Sequence, residues 1–415
     1  HGNSYIFNYA NTNLMIGSGI LIHGSGGNVG GNQGNTSMTT AATIDSDAAG
    51  AIDVGPPSGT WSNSGTLRAS NGTLRLAGAW TNTGTLVVEP AGTLQLGGTF
   101  SSAGFGTLDR DGGTINLTGV FDITSGFTLS TATGNWRMVG GTIKDGTLNS
   151  ADGAKIIHTS SSGTLNNVVM NADMDMTASS AQVNAINGLT LNGVATLGTN
   201  AALYFPVSGE VALDGTGDVL MQHSNSYIFN YANTHLMIGS GILIHGTAGN
   251  VGGNQGNTMM TNAGTIDSDG GGTIDVGPPS GTWTNTGTLD ASAGNIAAKG
   301  VWSNAGDIHV GAGRALSNSG AFTQTAAGEL ALDVAGTAAA SYGKVTVTGA
   351  ANLAGTLTIT LTNGFVPALG NTFAIMTFAS STGSFATVNG LDIPGPNRFA
   401  LTTNATNLTL TVVAD

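Results

Sequence analysis

The sequence predicts an all-β chain: a parallel β-helix, or β-solenoid, of about 20 residues per turn, with a C-terminal antiparallel β cap domain. Three observations predict it. Aromatic residues open successive lines at Trp61, Trp80, Phe100 and Phe121, in steps of 19, 20 and 21 residues. Within each line a short apolar pair returns in register: Leu74 and Leu76, Leu94 and Leu96, Ile115 and Leu117, then Trp136 and Met138. Alternation within a pair belongs to a strand with one buried face, and the longer return belongs to turns that stack because none buries its own face. Third, HGNSYIFNYANTNLMIGSGILIHG at residue 1 returns as HSNSYIFNYANTHLMIGSGILIHG at residue 223. The offset is a constant 222, and 57 of the first 70 positions are identical.

Taken in order, residues 1–222 read as solenoid, the first copy of a 222-residue unit. Residues 223–325 read as a second, partial copy, and residues 326–415 as the cap. In the ladder from 61 to 138, Asn63 and Asn82 follow the tryptophans, as Asn285 and Asn304 do in the second copy. Stacked asparagines at such positions are expected to bond to one another along the axis. From 139 to 222 the pattern loosens, although Leu189 to Asn192 keeps a strand signal. Met170, Met174 and Met176 there are expected to fill core gaps rather than bind a metal. From Leu330 onward, strand-like runs return every 10 to 15 residues between Gly, Asn and Pro turns. They predict antiparallel strands that cover the end of the stack, where strand edges would otherwise stay unpaired.

Composition excludes several function classes. With 40 % hydrophobic residues the chain can bury a large core. Ten Lys and Arg against 23 Asp and Glu, a net charge of −13, leave too few cations to neutralise phosphates, so neither nucleic acid nor an acidic membrane surface is an expected partner. No apolar run reaches the length of a membrane helix, so no membrane insertion is expected. The absence of cysteine removes disulfides, thiolate catalysis and thiolate metal sites together. The chain opens on His1 with no signal peptide, and is read as a processed product or a piece of something longer.

Candidate chemistry is sparse. Asp45, Asp47 and Asp53, their copies Asp267, Asp269 and Asp275, and the pair Asp109 and Asp111 place carboxylates close together beside glycines. Such clusters suit calcium loops or the paired carboxylates of glycoside hydrolysis, and equally solvated turn aspartates. Neither the full calcium-loop spacing nor a calcium-binding nonapeptide repeat is present, so no cofactor is expected beyond possible calcium at those aspartates. Arg110, Arg137, Lys144 and Lys155 are too scattered to serve as a lyase base. The seven histidines, His1, His23, His158, His223, His235, His245 and His309, lack ligand spacing and are expected at surfaces or corners. The YIFNY runs stand out. As a strand, each puts Tyr5, Phe7 and Tyr9, or Tyr227, Phe229 and Tyr231, on one face, and Ile6 and Asn8 on the other. The aromatic face is read as core or as a contact for a subunit or a sugar.

Several of these stretches resemble known sequences. They are NxGTL followed by GTLxLxG, and the Asn-Val-Gly-Gly-Asn then Gly-Thr-Ile-Asp block before Gly-Thr-Trp. The terminal run YGKVTVTGAANLAGTLTITLTNGFVPALGNTF…GSFATVNGL is a third. They are similar to bacterial surface β-helix proteins, the autotransporter passenger domains and filamentous haemagglutinin-type adhesins. The resemblance implies a right-handed parallel β-helix, exported and displayed at a bacterial cell surface. It carries over no catalytic residue, and the outer-membrane barrel of an autotransporter has no counterpart here. The expectation is therefore a non-enzymatic extracellular structural protein. It would associate with itself head to tail into a filament or surface layer, because His1 begins inside a repeat. The alternatives are a monomeric adhesin that binds surface glycans and, third, a polysaccharide-active enzyme.

Overall fold

A computed structural model describes residues 4–31, 35–253, 255 and 257–415. His1, and the closing Asn32 and Asn254 of the two Asn-Val-Gly-Gly-Asn blocks, lie outside the described residues. Among the described residues the chain is a parallel β-solenoid without an α-helix; its one helical turn is a 3-10 turn at Ser102–Gly104. It divides into two compact units, His1–Val194 and Ala195–Asp415. The boundary falls ahead of the second sequence copy at His223.

In the first unit one coil contains three short strands, Thr60–Asn63, Thr66–Ala69 and Thr73–Leu76. Each pairs in parallel with its equivalent one coil later: Trp61 with Trp80, Leu67 with Leu86, Leu74 with Leu94. The second and fourth side chains of each strand point inward and are buried. That repeating pattern is the alternation predicted from Leu74 and Leu76. The aromatic line becomes a stack, with Trp80 and Phe100 centroids 4.4 Å apart and Phe100 and Phe121 centroids 4.7 Å apart, both nearly parallel. Each tryptophan also satisfies its indole N–H, Trp61 donating to the Ala77 carbonyl at 2.7 Å and Trp80 to the Gly97 carbonyl at 2.9 Å.

The expected asparagine ladder is present. Asn63 donates to Asn82 at 2.8 Å. In the second unit, Asn262 donates to Asn285 and Asn285 to Asn304 at 2.8 Å, and Asn304 to Gln324 at 3.0 Å. These amides are buried, so each depends on the next for the partner that water would otherwise supply.

The loosened stretch is solenoid as well, with longer strands at Thr142–Ser150, Thr164–Met170 and Gln182–Leu191. Its turns use a different device. Asp145, Asn167 and Asn187 take positive φ (58°, 56° and 58°), so the chain bends inside a continuous strand instead of at a Gly-Thr corner. Met170, Met174 and Met176 are fully buried in the core.

The antiparallel cap is present but shorter than the spacing predicted. Lys344–Val347, Ala350–Leu353 and Thr356–Leu361 form one more three-strand coil that pairs in parallel with its predecessor. A further coil, Thr372–Thr377, Ser380–Gly383 and Thr387–Asn389, stacks on it in parallel, and antiparallel ladders join Thr372–Thr377 and Asn397–Thr403 to Asn407–Ala414. The last two strands are joined only through residues 404–406, too short for a parallel crossover. Phe373 and Phe399 are fully buried there, with ring centroids 5.8 Å apart, edge to face.

Candidate functional site

The outward positions of one face build the best candidate. Because strands stack in register, Tyr5 lies beside Asn28, Asn28 beside Asp53, Asp53 beside Arg75, and Arg75 beside Gln95. They line a groove of about 510 Å³, walled by Tyr5 and Phe7, with Pro57 and Thr118 also on its rim. That volume lies within the range of small-ligand clefts. Tyr5 is 61 % exposed, and its ring meets that of Phe7 edge to face at 6.4 Å. Phe7 and Tyr9 rings follow at 5.4 Å. Arg75 Nη1 lies 3.4 Å from Asp53 Oδ1, and both side chains remain partly exposed. Gly55 is required at the groove floor: its φ is +98°, and a Cβ there would collide with the Trp61 indole.

The second unit repeats the arrangement with Tyr227, Phe229, Asn250, Asp275 and Lys299, around only about 150 Å³. Lys299 Nζ lies 3.5 Å from Asp275. Here Tyr204 packs on Phe229 and Tyr231 at 5.9 and 5.7 Å. The YIFNY residues thus face as the strand reading expected: Tyr227, Phe229 and Tyr231 lie outward, while Ile228 and Asn230 are buried.

The aspartates nominated for calcium or catalysis are distributed among separate partners. Asp45 pairs with Arg68 and accepts from Ser70; Asp47 pairs with His23 at 2.8 Å. Asp269 pairs with His245 at 2.8 Å, and Asp267 accepts from Ser292. Burial, with Asp290 and Asp269 nearby, raises the Asp267 pKa above the usual carboxylate range. Asp109 lies beside Val87 in the same outward column as Arg68, and the Asp111 amide donates to the Val88 carbonyl at 2.9 Å. Among the described residues no group of three His, Asp or Glu side chains converges to hold a metal ion. Three of the four basic residues named above are engaged: Arg110 donates to the Gly112 and Gly113 carbonyls, Lys144 to Asp122 and Asp145, and Lys155 pairs with Asp175; Arg137 stands in register between Asn116 and Ile157. The Lys144 ammonium and the Thr124 donors hold the Asp122 carboxyl down to about 2.

One histidine departs from expectation. His158 is fully buried, because it holds the third, inward position of Ile156–His158, in register with Met138. Neither ring nitrogen has a hydrogen-bond partner, and burial lowers its pKa to about 4. His309 is the opposite case. A 2.7 Å hydrogen bond to Asp290, with Asp333 at 3.3 Å, raises its pKa to about 9.

The sequence named Tyr5 and Phe7 as contact aromatics and Asp53 for calcium or catalysis, without joining them in a groove, and did not single out Asn28, Arg75 or Gln95 as site residues. Once the coils are aligned on their aromatics, these three fall at one outward position, a signal legible only after the register is known.

No family profile matches the sequence, and no curated protein matches it. Among solved structures, one similar chain is the crystal structure of a TibC-catalysed hyper-glycosylated fragment of TibA, residues 55–350. It is 15 % identical and covers 93 % of this chain and 100 % of its own, with a TM-score of 0.15, too low to carry an argument. No helix among the described residues is long and apolar enough to cross a membrane.

Proposed function

We propose that this chain is a non-enzymatic, exported surface protein with an adhesin-like role: a β-solenoid scaffold that presents contact residues along its outer faces. The observation that carries the reading is the groove at Tyr5, Asn28, Asp53 and Arg75. It joins exposed aromatics to planar polar groups, the combination suited to holding a ligand, while Asp45, Asp47, Asp53 and Asp269 each sit against a basic side chain. The test has two arms. Protease treatment of intact source cells is expected to degrade the chain, as it would a displayed protein. Incubation of the purified chain with pectic and neutral polysaccharides is expected to release neither reducing ends nor unsaturated products. Release that disappears in Asp45→Asn or Asp53→Asn would establish an enzyme instead.

A second reading, self-association into a filament or surface layer, is favoured by exposed apolar side chains: Ile6, Met15, Ile20 and Leu21 are 42 to 76 % exposed, suited to contact with another copy. Sedimentation velocity over a hundredfold concentration range tests it: a single monomeric species throughout removes the filament.

A further inference from the structure

We propose that the groove of the first unit is a binding site for a neutral hexose polymer, lying along the column Tyr5, Asn28, Asp53, Arg75 and Gln95. The proposal deepens the adhesin reading and rests on it. Consecutive positions of this column come from consecutive coils, spaced by ~4.8 Å. An extended glycan advances by a similar distance per sugar, so each ring would meet one coil. The exposed Tyr5 and Phe7 rings offer apolar faces for the C–H side of a sugar ring. Asn28 and Gln95 each present a donor and an acceptor in one plane, Asp53 accepts, and the Arg75 guanidinium donates, the inventory that adjacent hydroxyls require.

Charge decides the ligand class. Asp53 and Arg75 cancel each other at 3.4 Å, leaving the groove without an excess of either sign. A uronate or sulfated polymer would find no uncompensated cation, and a basic peptide no uncompensated carboxylate.

The duplicated groove supplies an internal control. At the 222-residue offset Arg75 becomes Ala297 and Gln95 becomes Ser317, so the long planar side chains are gone. Lys299 instead occupies the groove beside Asp275, and the volume falls to about 150 Å³. The second groove keeps the aromatics, Asn250 and Asp275 but lacks the planar side chains of Arg75 and Gln95, and by this reading it does not bind.

The experiment is isothermal titration of the full chain with cellohexaose, maltohexaose and mannohexaose, beside hexagalacturonate and a sulfated hexasaccharide. Saturable binding of at least one neutral hexamer is expected. Tyr5→Ala and Arg75→Ala should each weaken it on the order of tenfold. Arg75→Gln, which keeps planar donors, should retain most of it, and Tyr227→Ala should leave it unchanged. Tyr5 and Arg75 are exposed side chains, and unchanged thermal melting would confirm that the variants fold. Binding of none of the neutral hexamers, preference for the acidic ones, or an equal loss in Tyr227→Ala overturns the proposal. Shortening of the hexamer during titration would overturn the non-enzymatic reading while leaving the groove as its site, so the two failures are distinct.

Discussion

The same residues occur twice in this chain with different fates. In the first copy Ile6 is 42 % exposed; in the second, its equivalent Ile228 is fully buried, although the surrounding sequence is almost identical. The cause is the neighbouring coil. Ala202–Phe205 pairs with the second copy and lays Leu203 beside Ile228, whereas no described strand precedes Tyr5–Ile6. Local sequence sets which way a side chain points; the adjacent coil sets what that is worth.

The outer columns diverge further. Arg68 of the first copy, paired with Asp45 and Glu89, becomes Asp290 in the second, beside Asp267. Two carboxylates then face each other, and His309 on the next coil supplies the cation, in the place where the first copy has Val87. The inner ladder diverges the other way. Thr40 lies beside Asn63 in the first copy and makes no ladder bond to it, its hydroxyl accepting from the Ala42 amide, whereas Asn262 extends the ladder in the second. Buried positions thus changed by extending a hydrogen-bond chain, and exposed ones by compensating charge.

The sharpest way to break this comparison is one substitution made in both copies. Ile228→Ala should cost about 2–5 kcal/mol, as buried aliphatic truncations do, and Ile6→Ala less than about 1 kcal/mol. Urea unfolding followed by hydrogen exchange would locate each loss, and equal costs would show that the neighbouring coil is not the cause. The next effect is in pH. His158 is held neutral in the fold, with its pKa lowered to about 4 from an unfolded value near 6.5. The unfolded chain binds the proton first, so stability is full above pH 6.5 and falls as pH drops toward 4, by about 3 kcal/mol. His158→Met should flatten that acid limb in thermal melts.

A smaller loss is expected inside the ladder. Asn285→Ala strands the amides of Asn262 and Asn304 and should cost about 1–3 kcal/mol. Asn63→Ala, which interrupts a single inter-coil asparagine bond, should cost less. The smallest effect is the reverse pH limb of the second unit. His309 is raised to about 9, so its pairing with Asp290 contributes fully below pH 6.5 and is lost as pH rises through 9. The side chain is 35 % exposed, and solvent screening keeps the change small. NMR titration of the His309 ring, with a midpoint near 6.5, would contradict the pairing.

Much of the fold was legible from periodicity. The aromatic steps from Trp61 to Phe121, the Leu74 and Leu76 alternation and the Asn63 and Asn82 ladder each name a buried position, because burial repeats with the coil. Residues 139–222 were harder to read because Asp145, Asn167 and Asn187 turn the chain without the Gly-Thr corner. The cap was drawn too early because three strands of one coil have the same close spacing as hairpins. The groove was barely legible: Tyr5 and Phe7 stand out by composition, but Arg75 and Gln95 look like ordinary surface residues.

The sequence by itself determined the coil: its length, its inward side chains and the residues that stack. Those follow from local alternation and from a return distance that a single chain carries with it. Only the tertiary structure decided which residues meet across coils. Asp53 meets Arg75, Asp290 meets His309, and His158 enters the core between methionine-bearing rungs, because register brings together positions about 20 residues apart and places a neighbour over each face. Contacts of that kind depend on which coil lies alongside, and a stretch read alone does not contain its neighbour.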